Sequence, residues 1–296
     1  MSDAPVVHLV DAHVYIFRAY HSLPSMSARD GREVAAAYGF ASTLCTYVAK
    51  RQPTHVALCF DHALTSFRNE LEPGYKEGRT EAPADLEPQF ALCVELGHAL
   101  GFASFEKARY EADDVIATLA TAVTAQAARA VVVTSDKDLA QLVTEDGRVV
   151  LHDLARDATL DADGVRARFG VSPAQIPDYL GLVGDAVDNL PGVPGVGPKG
   201  AVAALTAFGS IDAIPADPAA WRGVAVRGPA RLAAKIDEHR ARALRTRELA
   251  TVVRGVPELE VRVPDLAYRG ARSAETRALF ERLGWQRLLQ RIPRWR

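Results

Sequence analysis

Residues 130–138 read Ala130-Val131-Val132-Val133-Thr134-Ser135-Asp136-Lys137-Asp138. A short apolar run rich in β-branched residues predicts a buried strand, and here two carboxylates follow it after one serine. The pattern recurs along the chain. Residues 6–10 form a similar run closed by Asp11, and residues 55–60 form another closed by Asp61. A weaker run at 103–105 is followed shortly by Glu111, Asp113 and Asp114, at the start of a helix. Residues 149–152 are a further strand candidate, and helical patterns cover 33–50, 86–100 and 112–127. This alternation predicts an α/β fold: a mainly parallel central sheet flanked by helices.

In such a sheet the carboxyl ends of the strands share one edge, where ligands bind. Seven carboxylates from four segments should therefore converge on one rim. Each has a plainer reading alone: a single Asp after a strand caps a helix, and Asp113 and Asp114 complement a helix dipole. Capping does not readily account for four segments ending in acid at one edge. So many anions need a cation, and oxygen-only donors favour Mg²⁺ or Mn²⁺ over zinc.

Composition narrows the class. The chain has 296 residues, 48% of them hydrophobic, with a formal charge of −2. That suits one large or two modest domains and is too long for a disulfide scaffold. No stretch approaches about 18 consecutive apolar residues, so no membrane span is expected, and the acidic N-terminus does not read as a signal peptide. Cys45, Cys59 and Cys93 are odd in number and widely spaced, as expected of reduced core residues in a cytoplasmic protein. Residues 222–296 carry 18 Lys and Arg against 8 Asp and Glu, which suggests an anionic partner or a solvated helical surface.

Beyond about Ser172 the strand signal fades, and a helical region follows. Asp185 and Asp188 would share a face if their stretch were helical. Gly192-Val193-Pro194-Gly195-Val196-Gly197 is a tight turn, followed by a helix over 198–208. Such a hairpin exposes backbone N–H groups that grip a phosphate without reading a base. The formal GxGxxG match at 195–200 is no dinucleotide site, because no strand precedes it and Pro198 lies inside it. Lys199 is followed by Gly, so there is no Walker A loop either. Phe67-Arg68 and Tyr75-Lys76-Glu77-Gly78-Arg79 lie in or beside a loop rich in Pro, Gly and charge over 71–88, a candidate mobile segment whose cations suit substrate phosphates. Phe17-Arg18-Ala19-Tyr20 is either a half-buried first helix or a stacking platform with a phosphate clamp.

Taken in order, these motifs resemble the structure-specific 5′ nucleases, or flap endonucleases, and above all the 5′–3′ exonuclease domain of bacterial type I DNA polymerases and its free-standing relatives. The resemblance runs over roughly 6–250 and rests on Leu9-Val10-Asp11, Phe17-Arg18-Ala19-Tyr20, Phe60-Asp61, Phe67-Arg68, residues 74–79, residues 111–116, residues 135–139 and residues 184–199. It implies a nuclease core over 1–171 with a helical gateway at about 72–100, a helix–three-turn–helix over 172–255 and a basic extension over 256–296. The nuclease is expected to stand alone, as a monomer. Asp11, Asp61, Glu111 and Asp113 would gather at a first metal, and Asp113, Asp136, Asp138 and Asp188 at a second. Asp114 and Asp185 would act through water. Lys76 and Arg79 would be catalytic, with Tyr75 beside them. Phe17, Arg18, Tyr75, Gly192, Gly195, Gly197 and Lys199 would meet DNA, with K⁺ held by hairpin carbonyls. The implied activity is Mg²⁺- or Mn²⁺-dependent hydrolysis at 5′ flaps, nicks and duplex 5′ ends, alongside a separate polymerase and ligase. Ala12, Ser135, Val187 and Gly200 depart from the family pattern, but none removes an acid. A PIN-type ribonuclease and a non-catalytic binder of branched DNA are the alternatives.

Overall fold

A computed structural model describes residues 4–78 and 82–296. The chain runs β1 (Val6–Asp11), α1 (Ala12–Ser22), α2 (Ala35–Arg51), β2 (His55–Cys59), α3 (Phe67–Leu71), α4 (Glu87–Ala99), β3 (Ala103–Phe105), α5 (Ala112–Ala125), β4 (Arg129–Val133) and β5 (Val149–Asp153). These strands form a sheet in the order β3-β2-β1-β4-β5, all parallel. The short β6 (Ala158–Leu160) adds an antiparallel edge strand to β5, which the sequence reading does not include. The expectation of a mainly parallel sheet flanked by helices holds. The strand order reverses at β1, whose neighbours are β2 on one side and β4 on the other, so β1 and β4 flank the crevice where such sheets bind ligands.

Residues alternate between two apolar layers because successive side chains of a strand face opposite ways. Val7, Leu9, Ala130 and Val132 face α5 and the helical region, whereas Val10, Val56, Leu58 and Val133 face α1, α2 and α4. Both faces of the central strands are covered, as parallel sheets require. The three cysteines are buried and unbridged.

After α6 (Ala162–Phe169) and α7 (Ile176–Val183), the chain does not continue as a helix through Asp185 and Asp188. It makes an antiparallel pair, β7 (Gly184–Asp185) with β8 (Leu190–Pro191), so the two acids share no helix face. Gly184 at φ +78° starts this turn, a conformation open to glycine. Then come α8 (Pro198–Phe208), α9 (Pro229–Glu238) and α10 (Arg240–Ala250), with α10 packed along α7.

The last segment carries α11 (Ser273–Leu283) and α12 (Gln286–Leu289). It packs back on the first half of the chain: Tyr268 N–H donates to the Thr54 carbonyl at 2.8 Å, and Leu279, Phe280, Trp285 and Leu288 join the layer of α2 and α4. Several of its arginines are paired within the chain, among them Arg282 with Glu95 and Arg262 with Asp265. The basic balance of 222–296 is therefore partly an internal charge pattern.

Candidate active site

Acids from five places in the chain surround the carboxyl ends of β1, β2 and β4. Asp11 ends β1 and caps α1; it is buried and accepts a hydrogen bond from Thr134 Oγ1 at 2.9 Å. Asp61 follows β2, and its Oδ1 accepts the Ala112 N–H at 2.7 Å, tying it to the start of α5. Its own N–H donates to His13 Nδ1 at 3.1 Å. Glu111 caps α5 and accepts from Ser66 Oγ at 2.9 Å and Tyr75 Oη at 3.2 Å, with Lys76 Nζ at 3.0 Å. Asp113 lies in the first turn of α5, and Asp136 and Asp138 follow β4. Asp188 arrives from the β7–β8 turn, with Oδ2 accepting from Tyr75 Oη at 3.4 Å. Asp185 is bound by Lys137 Nζ at 2.6 Å.

The electrostatics record the crowding. Burial, then Asp61 and Asp136, pushes Asp11 up to about 7. Burial and Asp136 push Asp138 up to about 8. Asp113 is raised well above the carboxylate range by burial, Asp136 and Asp11. Asp136 is raised by burial and Asp188, against a hydrogen bond from the Asp138 N–H. Glu111 moves the other way: burial raises it, but Lys76 and Arg68 outweigh that and hold it low. Carboxylates this close and this buried disfavour one another's charged forms.

Among the described residues no three acids stand close enough to chelate one ion as they are placed. The donor chemistry nonetheless fits a hard divalent cation: the donors are oxygens, neighbouring carboxylates help to raise Asp11, Asp113, Asp136 and Asp138, and Asp138 Oδ1 is buried without a hydrogen-bond partner. Lysine ammoniums stand among these acids, Lys76 on Glu111 and Lys137 on Asp185.

Several expectations change. Asp114 does not face this rim. It is fully buried, and its oxygens are taken by Arg68 at 2.7 and 2.8 Å, by the Glu111 N–H at 3.1 Å and by the Val253 N–H at 2.8 Å, so it is not placed to act on a metal through water. For the same reason Arg68, 2% exposed, does not reach substrate. Tyr75 is buried at 4% exposure with its hydroxyl on two acids, so it offers no face for DNA to stack on. Lys76 sits in a run of turns at φ +57°, not on a helix, and its N–H donates to the Asp188 carbonyl at 2.9 Å. Gly74, Tyr75 and Lys76 of the candidate mobile loop are thus pinned to the site. Arg79 lies outside the described residues. Phe17 is half-buried on α1, 5.7 Å from the Phe90 ring of α4, and Arg18 beside it is exposed. Thr134, Ser66 and His13, which hold the acids, were not singled out by the sequence reading; Ser66 signals itself only as the cap of α3, with Asn69 completing its capping box.

The glycine hairpin lies beyond β8. Gly192 is a backbone crossing, since a Cβ there would overlap Gly184 and Val183. Gly195, at φ +73°, forms the turn. Gly197 caps α8 with open space around it, and Lys199 stands exposed in the first turn. Lys199, Arg227, Arg231 and Lys235 line a cavity of about 740 Å³ between the starts of α8 and α9. The Pro194 carbonyl accepts from Lys235 Nζ at 3.1 Å, so an ammonium faces one of the hairpin carbonyls.

The molecule is an α/β protein with an acid-lined edge on its parallel sheet and a glycine hairpin in the helical region that follows. Residues 6–170 match the family described as 5′-3′ exonuclease, N-terminal resolvase-like domain, and residues 171–274 match 5′-3′ exonuclease, C-terminal SAM fold. The chain belongs to the 5′–3′ exonuclease family. It is 35% identical over 289 residues to DNA polymerase I of Bacillus caldotenax, covering 96% of this chain and 32% of that protein. It is 38% identical over 296 residues to DNA polymerase I of Pseudomonas aeruginosa, covering 99% and 32%. The chain thus spans about a third of the length of these curated relatives. Its fold is similar to a bacteriophage T5 flap endonuclease in a pseudo-enzyme–product complex with DNA and metal ions, with a TM-score of 0.67 and 18% identity over 94% of this chain and 99% of that one. It is also similar to the catalytic core of Rad2 in complex with DNA substrate, with a TM-score of 0.62 and 15% identity over 97% and 90%. Among the described residues no helix is long and apolar enough to cross a membrane.

Proposed function

We propose that this chain is a structure-specific 5′ nuclease that hydrolyses phosphodiesters at 5′ flaps, nicks and duplex 5′ ends, leaving 5′-phosphate and 3′-hydroxyl products. The observation that carries this reading is the gathering of Asp11, Asp61, Glu111, Asp113, Asp136, Asp138 and Asp188 around the carboxyl ends of β1, β2 and β4, close enough to act on one another electrostatically. Asp11, Asp61, Glu111 and Asp113 would hold one Mg²⁺ or Mn²⁺, and Asp113, Asp136, Asp138 and Asp188 a second, with Asp185 acting through water. Such ions supply an activated water and stabilisation of the leaving oxygen.

The chain's own groups do the rest. Gly195, Gly197 and Lys199, with the N-terminus of α8, grip duplex phosphates without reading bases. Arg18 adds a phosphate contact near the rim, and Phe17 stacks on a base opened at the terminal pair, offsetting part of the few kcal/mol that opening costs. Lys76 stands at Glu111 and, with Arg79, stabilises charge developing on the scissile phosphate. The expected setting is cytoplasmic DNA replication and repair, as a monomer beside a separate polymerase and ligase.

The test is a labelled 5′-flap duplex incubated with the protein across a Mg²⁺ titration, read by product length and end chemistry. Cleavage near the junction that requires Mg²⁺ or Mn²⁺ supports the reading. Binding without cleavage at any metal concentration favours a non-catalytic binder, and cleavage of RNA alone favours a ribonuclease. Undiminished cleavage in excess chelator overturns the metal assignment.

A further inference from the structure

One fully buried cation takes no part in the reading above. Arg68, on α3, directs its guanidinium at both oxygens of Asp114, Nη1 at 2.7 Å and Nη2 at 2.8 Å. Its Nε donates to the Leu249 carbonyl at 2.8 Å and its Nη2 also to the Thr251 carbonyl at 3.0 Å. Nη1 lies 3.5 Å from Glu111 Oε2. Asp114 in turn accepts the N–H of Glu111 at 3.1 Å and of Val253 at 2.8 Å. Three separate pieces of chain therefore meet at one ion pair: α3, the first turn of α5 with Glu111, and the stretch that leaves α10. That stretch belongs to the helices carrying the hairpin, for α10 packs on α7 and Thr246 Oγ1 donates to the Pro191 carbonyl of β8 at 2.7 Å.

A buried ion pair is a weak source of stability, because desolvation offsets much of its attraction. A planar fork that uses its donors on a carboxylate and two carbonyls does fix geometry, and an ammonium cannot reproduce it. We propose that Arg68 is a positioning residue: by locking Asp114 to the chain leaving α10, it sets the place of the Glu111 carboxylate relative to the helices that grip DNA. The inference rests on the reading of Glu111 as a metal ligand, and it adds a link between the two regions that the acids alone do not provide.

The test is the double variant Arg68→Met/Asp114→Asn, which removes the fork while leaving the net charge beside Glu111 unchanged and keeping an acceptor for Val253. Three quantities are compared with wild type: Mn²⁺ affinity measured by the electron paramagnetic resonance of free Mn²⁺, duplex affinity in chelator, and single-turnover cleavage in saturating metal. Expected are a cooperatively folded protein, near-normal duplex affinity, and losses of about 10–100-fold in Mn²⁺ affinity or cleavage, the usual cost of removing a group that orients a ligand. A folded double variant with wild-type Mn²⁺ affinity and rate would overturn the proposal. If the double variant does not fold, Arg68→Lys decides, since it keeps the charge and loses the fork. Weakened Mn²⁺ affinity in folded Arg68→Lys supports positioning, and full rescue by lysine shows that only charge is needed. Wild-type protein that neither binds Mn²⁺ nor cleaves a flap would defeat the functional reading itself, and this is seen before any variant is made.

Discussion

Asp113 and Asp114 are chemically the same and adjacent, yet one is crowded by Asp136 and Asp11 while the other is sealed against Arg68. Their types were legible in the sequence, but their directions were not. A helix turns about 100° per residue, and only the packing of α5 decides which acid meets the rim. Tyr75 was misread for a similar reason, because a tyrosine in a polar loop gives no sign that its hydroxyl will be drawn inward by Glu111 and Asp188. Two predictions belong at this scale. Lys76→Ala should lower single-turnover cleavage by roughly 10²–10³, as loss of a transition-state donor does, with duplex affinity little changed. A normal single-turnover rate would remove Lys76 from the chemistry. Asp136→Asn should bind substrate as well as wild type or better, since a negative charge facing phosphate is gone, while turnover collapses. Raising Mg²⁺ should restore part of the rate in Asp136→Asn and none in Lys76→Ala; equal rescue of both would show the roles misassigned.

Strands and helices were legible where the period is strong. The runs ending at Asp11, Asp61 and Thr134 are apolar and largely buried, and α8 occupies the span that the glycine turn and Pro198 mark out. The β7–β8 pair was not legible, because two-residue strands are too short to show a period. Its register is set by Gly184 and Gly192, whose backbones meet where a side chain would not fit. For the hairpin, Gly195→Val places a branched residue at φ +73°, and Lys199→Glu sets an anion at the start of α8. Both should weaken duplex binding across a salt series while leaving Mn²⁺ affinity unchanged. For Lys199→Glu the dependence on log salt should flatten by about one phosphate contact. Wild-type binding by either variant would move the DNA anchor elsewhere.

At the scale of the whole molecule, the acid cluster is a stability cost that metal should relieve. Asp11 and Asp138, raised to about 7 and about 8, hold protons in the folded state at pH values where the unfolded chain has released them. The folded state then binds more protons, so stability in chelator should fall as pH rises from 6.5 to 8.5. His8 does not oppose this. Burial, then His152 and Arg51, lowers it to about 4, so its own destabilising effect is confined to pH below its unfolded value near 6.5. Thermal melts in chelator and in Mg²⁺ over that range should diverge with rising pH, the Mg²⁺ curve staying flatter; parallel curves would mean that metal does not enter the cluster. The central claim is that divalent ions sit among these acids when DNA is bound. It is tested most directly by anomalous diffraction from crystals of Asp136→Asn or wild type grown with Mn²⁺ and a 5′-flap duplex. A Mn²⁺ peak is expected among Asp11, Asp61, Glu111 and Asp113 in both, with a second among Asp113, Asp136, Asp138 and Asp188 that is strong in wild type and weakened in the variant. Peaks confined to the hairpin or the surface, with the acid cluster empty and DNA in place, would contradict it.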